Sequence, residues 1–247
     1  MTLQFLLVAL PAVLLTGVSK GGFGGALGGI AVPLMALAMP PTQAAAIMLP
    51  ILCMADITGL RRFYGKWDSR NLKIMLPGAL LGVLIGSLTF GLLSERFIGL
   101  LIGAIAIGFV LLNAVVSRAA AQPARAAVGK GVVLSGVAGF TSFVAHAGGP
   151  PVLMYLLPQQ LEKIRYIATV NVFFLLTNAI KLIPYALLGQ FNWHNLGASL
   201  MLAPVVVAGV WLGIWLQDKV NHTWFYRIAR LGLLVTGVQL LVQNWQG

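Results

Sequence analysis

Charged side chains are scarce in this chain. Asp, Glu, Lys and Arg make up 9% of its 247 residues, against about 25% in an average soluble domain. Only five residues are acidic, and Asp56 alone among them lies in a long apolar stretch. Apolar residues make up 59% of the chain, and its mean hydropathy is +0.94. This composition excludes an ordinary soluble protein and predicts an all-α polytopic membrane protein with one membrane domain.

Cysteine is also nearly absent, because Cys53 is the only one, so no intrachain disulfide can form. No Lys or Arg precedes Lys20, so the amino-terminal apolar stretch lacks the basic region of a signal peptide and is expected to belong to the fold. The sequence shows neither a nucleophile with a base and an orienting group nor a metal-ligand cluster. We therefore expect no enzyme activity, no cofactor and no metal site, and an intramembrane enzyme using Cys53 or His146 is the weakest interpretation.

Glycine, in contrast, is abundant, and two glycine-rich segments interrupt apolar stretches at matching places in the two halves. The first runs from Gly17 to Gly29 and the second from Gly136 to Gly149. Lipid cannot hydrogen-bond bare backbone, so such breaks persist only where protein or a water-filled cavity covers them. Broken apolar segments at corresponding positions are typical of a transporter's binding site.

The two halves also match elsewhere, since Pro77, Gly82 and Gly86 recur at identical spacing as Pro204, Gly209 and Gly213. Glycines four residues apart let helices approach closely, and we interpret these as packing residues. We predict two repeats, 1–118 and 128–247, joined by a cytoplasmic linker over 119–127. Each repeat has a glycine-broken helical hairpin followed by three transmembrane helices.

The first hairpin covers 3–39 and the second 128–158. The three helices are predicted at 42–60, 72–93 and 97–117 in the first repeat, and at 165–186, 195–216 and 224–243 in the second. The short segments of each hairpin, 3–16 with 25–39 and 128–140 with 149–158, are either re-entrant or short tilted spans.

Positive charge is distributed asymmetrically along these segments. Five segments in a repeat, an odd number, give the second repeat the opposite orientation. With that topology 13 of the 16 Lys and Arg residues lie on one side, Arg96 lies on the other, and Lys20 and Lys181 lie within apolar regions. The positive-inside rule then predicts inverted repeats with both termini outside the cytoplasm. The net charge of +11 therefore indicates a lipid bilayer as partner and not a nucleic acid.

The charges within apolar regions are mostly cationic. The basic or titratable residues there are Lys20, His146 and Lys181, whereas Asp56 is the one acidic residue. Charge at membrane depth usually marks a substrate path, a relay or an ion pair. This excess indicates an anionic substrate, and helix N-termini after the two breaks would favour an anion further. The predicted substrate-binding residues are Ser19, Lys20, Gly21, Gly22, Gly24, Gly25, Gly28, Gly29, Thr141, Ser142, His146, Gly148 and Gly149.

A second set of polar residues is predicted to serve coupling or gating. Asp56 aligns with Asn178 of the other half, and Lys181 lies one helical turn beyond Asn178. One hypothesis pairs Asp56 with Lys181 across a pseudo-twofold axis, either as a structural pair or as one that opens when a proton or substrate arrives. The set consists of Asp56, Asn171, Asn178 and Lys181. The alternative interpretation has Lys20 snorkelling to an interface and His146 as a packing residue.

The chain resembles the TauE/SafE sulfite exporter family of bacterial membrane proteins. The resemblance rests on residues 20–29 followed by Pro33, on residues 146–151, and on the two-half organisation; residues 140–145 depart from the glycine-rich pattern. It implies a multi-pass transporter of the bacterial inner membrane that exports sulfite or an organosulfonate such as sulfoacetate. Alternating access between the repeats is the expected mechanism. An anion channel, or a carrier of another small organic or inorganic anion, is the alternative, and a homodimer is a candidate assembly.

Overall fold

The structure is a computed structural model that describes residues 3–23, 28–119, 126–217 and 219, together with the single positions 234, 238, 241, 242 and 245. The described part is helical and contains no strand. Its helices are α1 (Leu3–Gly22), α2 (Ala31–Met35), α3 (Pro41–Phe63), α4 (Ser69–Phe90), α5 (Glu95–Ala119), α6 (Val128–Ala145), α7 (Gly149–Leu156), α8 (Lys163–Leu187) and α9 (Trp193–Leu216). Short 3₁₀ turns cover Gly28–Ile30 and Leu157–Gln159.

Six of these helices, α1, α3, α4, α6, α8 and α9, are long and apolar enough to cross a membrane. Helices α3, α4, α5, α8 and α9 lie at the positions where the sequence predicts spans, namely 42–60, 72–93, 97–117, 165–186 and 195–216. The predicted span 224–243 lies almost entirely outside the described residues, as does most of the linker.

The predicted hairpin segments at 3–16 and 128–140 are too short. The helix α1 continues to Gly22 and α6 continues to Ala145, which makes each long enough to span a membrane. The second helix of each hairpin is shorter than expected, since α2 has 5 residues and α7 has 8. In the described part of the chain, each of these two long helices is thus followed by a short helical segment.

The glycines of α1 explain why this helix does not break where the sequence suggested. Gly17, Gly21 and Gly22 face α9, and a Cβ added at Gly21 would collide with the carbonyl oxygen of Val210. The absent side chains let the two backbones touch, and that packing offsets the cost of about 1 kcal/mol of a glycine inside a helix.

Equivalent contacts cross between the two halves of the chain. The helix α1 packs along α9, and α6 packs along α4, so the first helix of each half lies against the fourth helix of the other. Gly17 meets Gly209 in one pair, and Gly82 meets the backbone of Gly136 in the other. The prediction that Gly82 and Gly209 serve packing is confirmed.

Large apolar side chains lie on the outside of the helix bundle, and polar side chains lie in its middle. The outer faces of α4 and α9 expose large apolar residues, among them Leu81, Leu88, Leu200 and Trp211. Large exposed apolar surfaces of this kind suit contact with lipid tails. The central helices α3 and α8 pack against each other and carry buried polar side chains, among them Asp56, Asn178 and Lys181.

Candidate functional site

The charged side chains predicted from the two halves meet where α1, α3, α6 and α8 converge. We call this group the charge cluster, and every member is at most 5% exposed. Its members are Lys20, Asp56, Ser142, His146, Asn171, Asn178 and Lys181.

Lys20 is the partner of Asp56. Its ammonium lies 2.5 Å from Asp56 Oδ1 and 4.8 Å from the centre of the Phe174 ring. The Asn178 amide donates to Asp56 Oδ2 over 2.8 Å. With its side-chain amide turned so that the nitrogen faces the carboxylate, Asn171 donates to Asp56 Oδ1 over 3.1 Å and to the Asp56 backbone oxygen over 3.2 Å. Lys20 therefore ends inside the protein, which rules out snorkelling to an interface in this structure.

The hypothesis that Asp56 pairs with Lys181 is wrong for this structure. Lys181 instead donates to Ser142, over 2.8 Å to the backbone oxygen and 3.0 Å to Oγ, and its Nζ lies 2.8 Å from His146 Nδ1. On α8, Asn178 takes the position facing Asp56, and Lys181 one turn later reaches α6. The sequence alignment of Asp56 with Asn178 did not reveal that Lys20, from a third helix, would supply the counter-ion.

His146 ends α6 in an unusual backbone conformation. Its φ of 52° lies in the left-handed region, which costs a residue with a Cβ about 1–2 kcal/mol. The ring is fixed on both sides, since Nε2 lies 2.8 Å from the carbonyl oxygen of Ala45 and Nδ1 faces Lys181. A carbonyl only accepts, so Nε2 carries the proton, and Nδ1 accepts from the ammonium. These partners hold His146 neutral, and the Tyr185 ring stacks beside it.

A small cavity of about 10 Å³ opens on one side of the charge cluster, with room for about one water molecule. Its walls are formed by Lys20, Leu52, Ser142, His146, Gly149, Phe174 and Asn178. Five of these were predicted as site residues. Leu52 and Phe174 were not predicted, because an apolar residue within an apolar span gives no sequence signal.

The other predicted binding residues have different surroundings. Gly21 and Gly22 pack on α9, and Gly148 packs against Ala138, Phe174 and Ser142. The Thr141 hydroxyl donates to backbone carbonyls of Val137 and Ala147, so it is already used.

The two breaks nevertheless approach each other, because a Cβ on Gly29 would contact Ala147 at 3.2 Å. Ser19 is buried within α1, and Gly28 begins a 3₁₀ turn. Gly24 and Gly25 lie outside the described residues.

Counted with both lysines protonated, Asp56 ionised and His146 neutral, the charge cluster has one net positive charge. It contains two ammonium groups, one carboxylate and a neutral imidazole, and the partners of Lys181 are all uncharged. Buried charge is normally paired, so an unbalanced ammonium at this depth favours an anion nearby. Within the described ranges, no three His, Cys, Asp or Glu side chains come together as metal ligands.

The family model described as sulfite exporter TauE/SafE matches residues 9–240. Neither the curated proteins nor the solved structures contain a match to the chain.

Proposed function

We propose, from the premise that the chain belongs to the TauE/SafE sulfite exporter family, that it exports a small sulfur-containing anion, either sulfite or an organosulfonate. The family is one of membrane transporters, and the six long apolar helices make this chain a multi-pass membrane protein. The observation that carries the proposal is that the charge cluster beside the cavity holds two buried lysines and one carboxylate, so that Lys20 has an acidic partner and Lys181 has none. The cavity must widen during transport to admit the anion, which would then balance the charge of Lys181.

Each side chain around the cavity has a role in this proposal. Lys20 contacts the anion directly, while Asp56 keeps the Lys20 charge paired when the site is empty. At the start of α7, Gly149 adds one backbone N–H beside the cavity, because Pro150 and Pro151 have none and the Val152 N–H donates to the Gly148 oxygen. Lys181, behind the wall, has its three N–H donors engaged and acts on the anion through its charge alone.

The transport cycle we propose is alternating access in a bacterial inner membrane, with inverted repeats, both termini outside the cytoplasm, and a homodimer as a candidate assembly. The crossed packing supports moving bodies that each take helices from both halves. In this scheme α1 moves with α9 and α4 moves with α6, while the cavity between them opens to alternate sides.

The test is efflux of radiolabelled sulfite from proteoliposomes. Lys181→Met removes the unbalanced charge, and we expect efflux to fall by about tenfold or more, since a buried charge interaction of about 1.4 kcal/mol already corresponds to that factor. Lys130→Met is the matched control, because Lys130 is exposed at the start of α6. Equal efflux in both variants would contradict the proposed role of the cluster.

The same vesicles distinguish a carrier from a channel. A carrier saturates as the internal sulfite concentration rises, and external unlabelled sulfite accelerates loss of the label by exchange. Linear flux without exchange would favour the anion channel.

A further inference from the structure

One residue of the cavity wall has a buried acceptor without a donor. Asn178 lines the cavity, and its Nδ2 is committed to Asp56. The other amide atom, Asn178 Oδ1, is buried and has no hydrogen-bond partner. Leaving such an acceptor unpaired is costly, so the site is complete only when something donates a hydrogen bond to it.

The charge cluster sets a second condition on the ligand. Three acceptors, the two oxygens of Ser142 and His146 Nδ1, surround Lys181 and match the three donors of an ammonium. Lys20 is balanced by Asp56, so a single negative charge neutralises the cluster. A dianion would leave one excess negative charge in a buried site, which is costly.

We infer that the substrate is a monoanion carrying its own hydrogen-bond donor, so that the oxyanion balances Lys181 and an O–H group binds Asn178 Oδ1. Hydrogen sulfite and hydroxyalkanesulfonates have this chemistry. Fully deprotonated sulfite and sulfoacetate, which are dianions, do not. This inference rests on the proposed function and narrows its substrate class.

The experiment measures binding of three ligands to purified wild-type protein at one pH. They are 2-hydroxyethanesulfonate, propane-1-sulfonate, which has the same number of heavy atoms but no donor, and the dianion sulfoacetate. We expect 2-hydroxyethanesulfonate to bind about fivefold or more tighter than propane-1-sulfonate, as one hydrogen bond to a buried acceptor provides. We expect sulfoacetate to bind more weakly than either.

Two variants with matched controls assign these preferences to residues. Asn178→Ala is expected to abolish the preference for the hydroxyl. Asn171→Ala, which removes a different amide donor to Asp56, is expected to retain it.

Asp56→Asn raises the net charge of the cluster to two and is expected to shift the ratio of sulfoacetate to 2-hydroxyethanesulfonate affinity by about tenfold or more towards the dianion. Glu162→Gln removes an exposed carboxylate and is expected to leave that ratio unchanged.

The outcomes separate this inference from the proposed function. Equal binding of the two monoanions would mean that water satisfies Asn178, and tighter binding of sulfoacetate would mean that the charge count is wrong; either overturns the inference while anion binding stands. Binding of none of the three ligands, nor of sulfite, would overturn the proposed function and the inference with it. The wild-type panel decides between these even where a variant does not fold.

Discussion

At the scale of single residues, the ion pair of Lys20 and Asp56 determines how the charge cluster tolerates burial. Both side chains are at least 95% buried, and Asp56 receives further hydrogen bonds from Asn171 and Asn178. Removing one partner of such a pair leaves an uncompensated charge, whereas removing both leaves only neutral groups. The effects of substituting Lys20 and Asp56 on the stability of the protein are therefore expected to be strongly non-additive.

A double-mutant cycle on this pair tests that expectation. Lys20→Met alone is expected to destabilise the protein by about 3–5 kcal/mol, because Asp56 remains charged and buried. Adding Asp56→Asn is expected to restore most of that loss, giving a coupling free energy of about 2 kcal/mol or more. Unfolding in detergent, followed by tryptophan fluorescence, measures each variant. Additive effects of the two substitutions would show that the pair does not stabilise the fold.

The residues of the charge cluster were identifiable from sequence, but their partners were not. Lys20, Asp56 and Lys181 stand out because charge within an apolar stretch is rare. Which cation contacts Asp56 depends on how three helices pack, and no spacing along the chain encodes that. The left-handed backbone of His146 was equally hidden, because the sequence offers Gly148 and Gly149 nearby as more favourable residues for such a turn.

At the scale of helices, glycine residues allow close contact of α1 with α9 and of α4 with α6. In α9, a Cβ on Gly213 would collide with the carbonyl oxygen of Val18 on α1. Backbone atoms cannot rotate aside as a side chain can, so the two helices would have to separate. Separation would also displace Lys20, which lies two residues beyond Val18 on α1.

Two alanine substitutions within α9 test this packing. Gly213→Ala is expected to destabilise the protein by about 1–3 kcal/mol or more through overpacking, and to weaken anion binding because α1 carries Lys20. Gly197→Ala is the control, since Gly197 has open space around the Cβ position in the same helix. It is expected to stabilise by about 0.5–1 kcal/mol, as alanine usually does in a helix. Thermal unfolding of both variants gives the comparison, and equal midpoints would show that α1 and α9 do not pack closely.

The presence of the long helices could be predicted from hydrophobicity, but the positions at which α1 and α6 end could not. Gly17, Gly21 and Gly22 were interpreted as part of a break, yet they continue α1 and pack on α9. A glycine has the same sequence signature in both roles. Only the partner helix, which belongs to the other half of the chain, decides between them.

At the scale of the whole molecule, the asymmetry of basic residues gives the orientation that we propose. The loop between α3 and α4 contains Lys66 and follows Arg61 and Arg62, so it is assigned to the cytoplasm. The loop between α8 and α9 has no Lys or Arg, so it is assigned to the outside. The inversion of the two repeats requires both assignments.

Single cysteines report this orientation directly. Starting from Cys53→Ala, we expect Lys66→Cys to react with a membrane-impermeant thiol reagent only from the cytoplasmic side. His194→Cys, exposed at the start of α9, is expected to react only from the outside. The Cys53→Ala chain without an added cysteine is the control for background labelling. Labelling of both positions from the same side would rule out inverted repeats.

The net charge of the cluster also predicts how membrane potential acts on the whole cycle. With both lysines protonated and Asp56 ionised, a monoanionic substrate makes the loaded cluster neutral, so the empty cluster, with one positive charge, is the voltage-sensitive state. A potential of about 100 mV changes the energy of a unit charge crossing the membrane by about 2.3 kcal/mol. We expect a negative cytoplasmic side to accelerate net efflux and to leave exchange of labelled for unlabelled substrate unaffected.

In Lys181→Met the empty site is neutral and the loaded site is negative, so exchange should become voltage-dependent. Oriented proteoliposomes with a potassium diffusion potential measure both fluxes. Voltage-dependent exchange by the wild-type protein would contradict the charge assigned to this cluster.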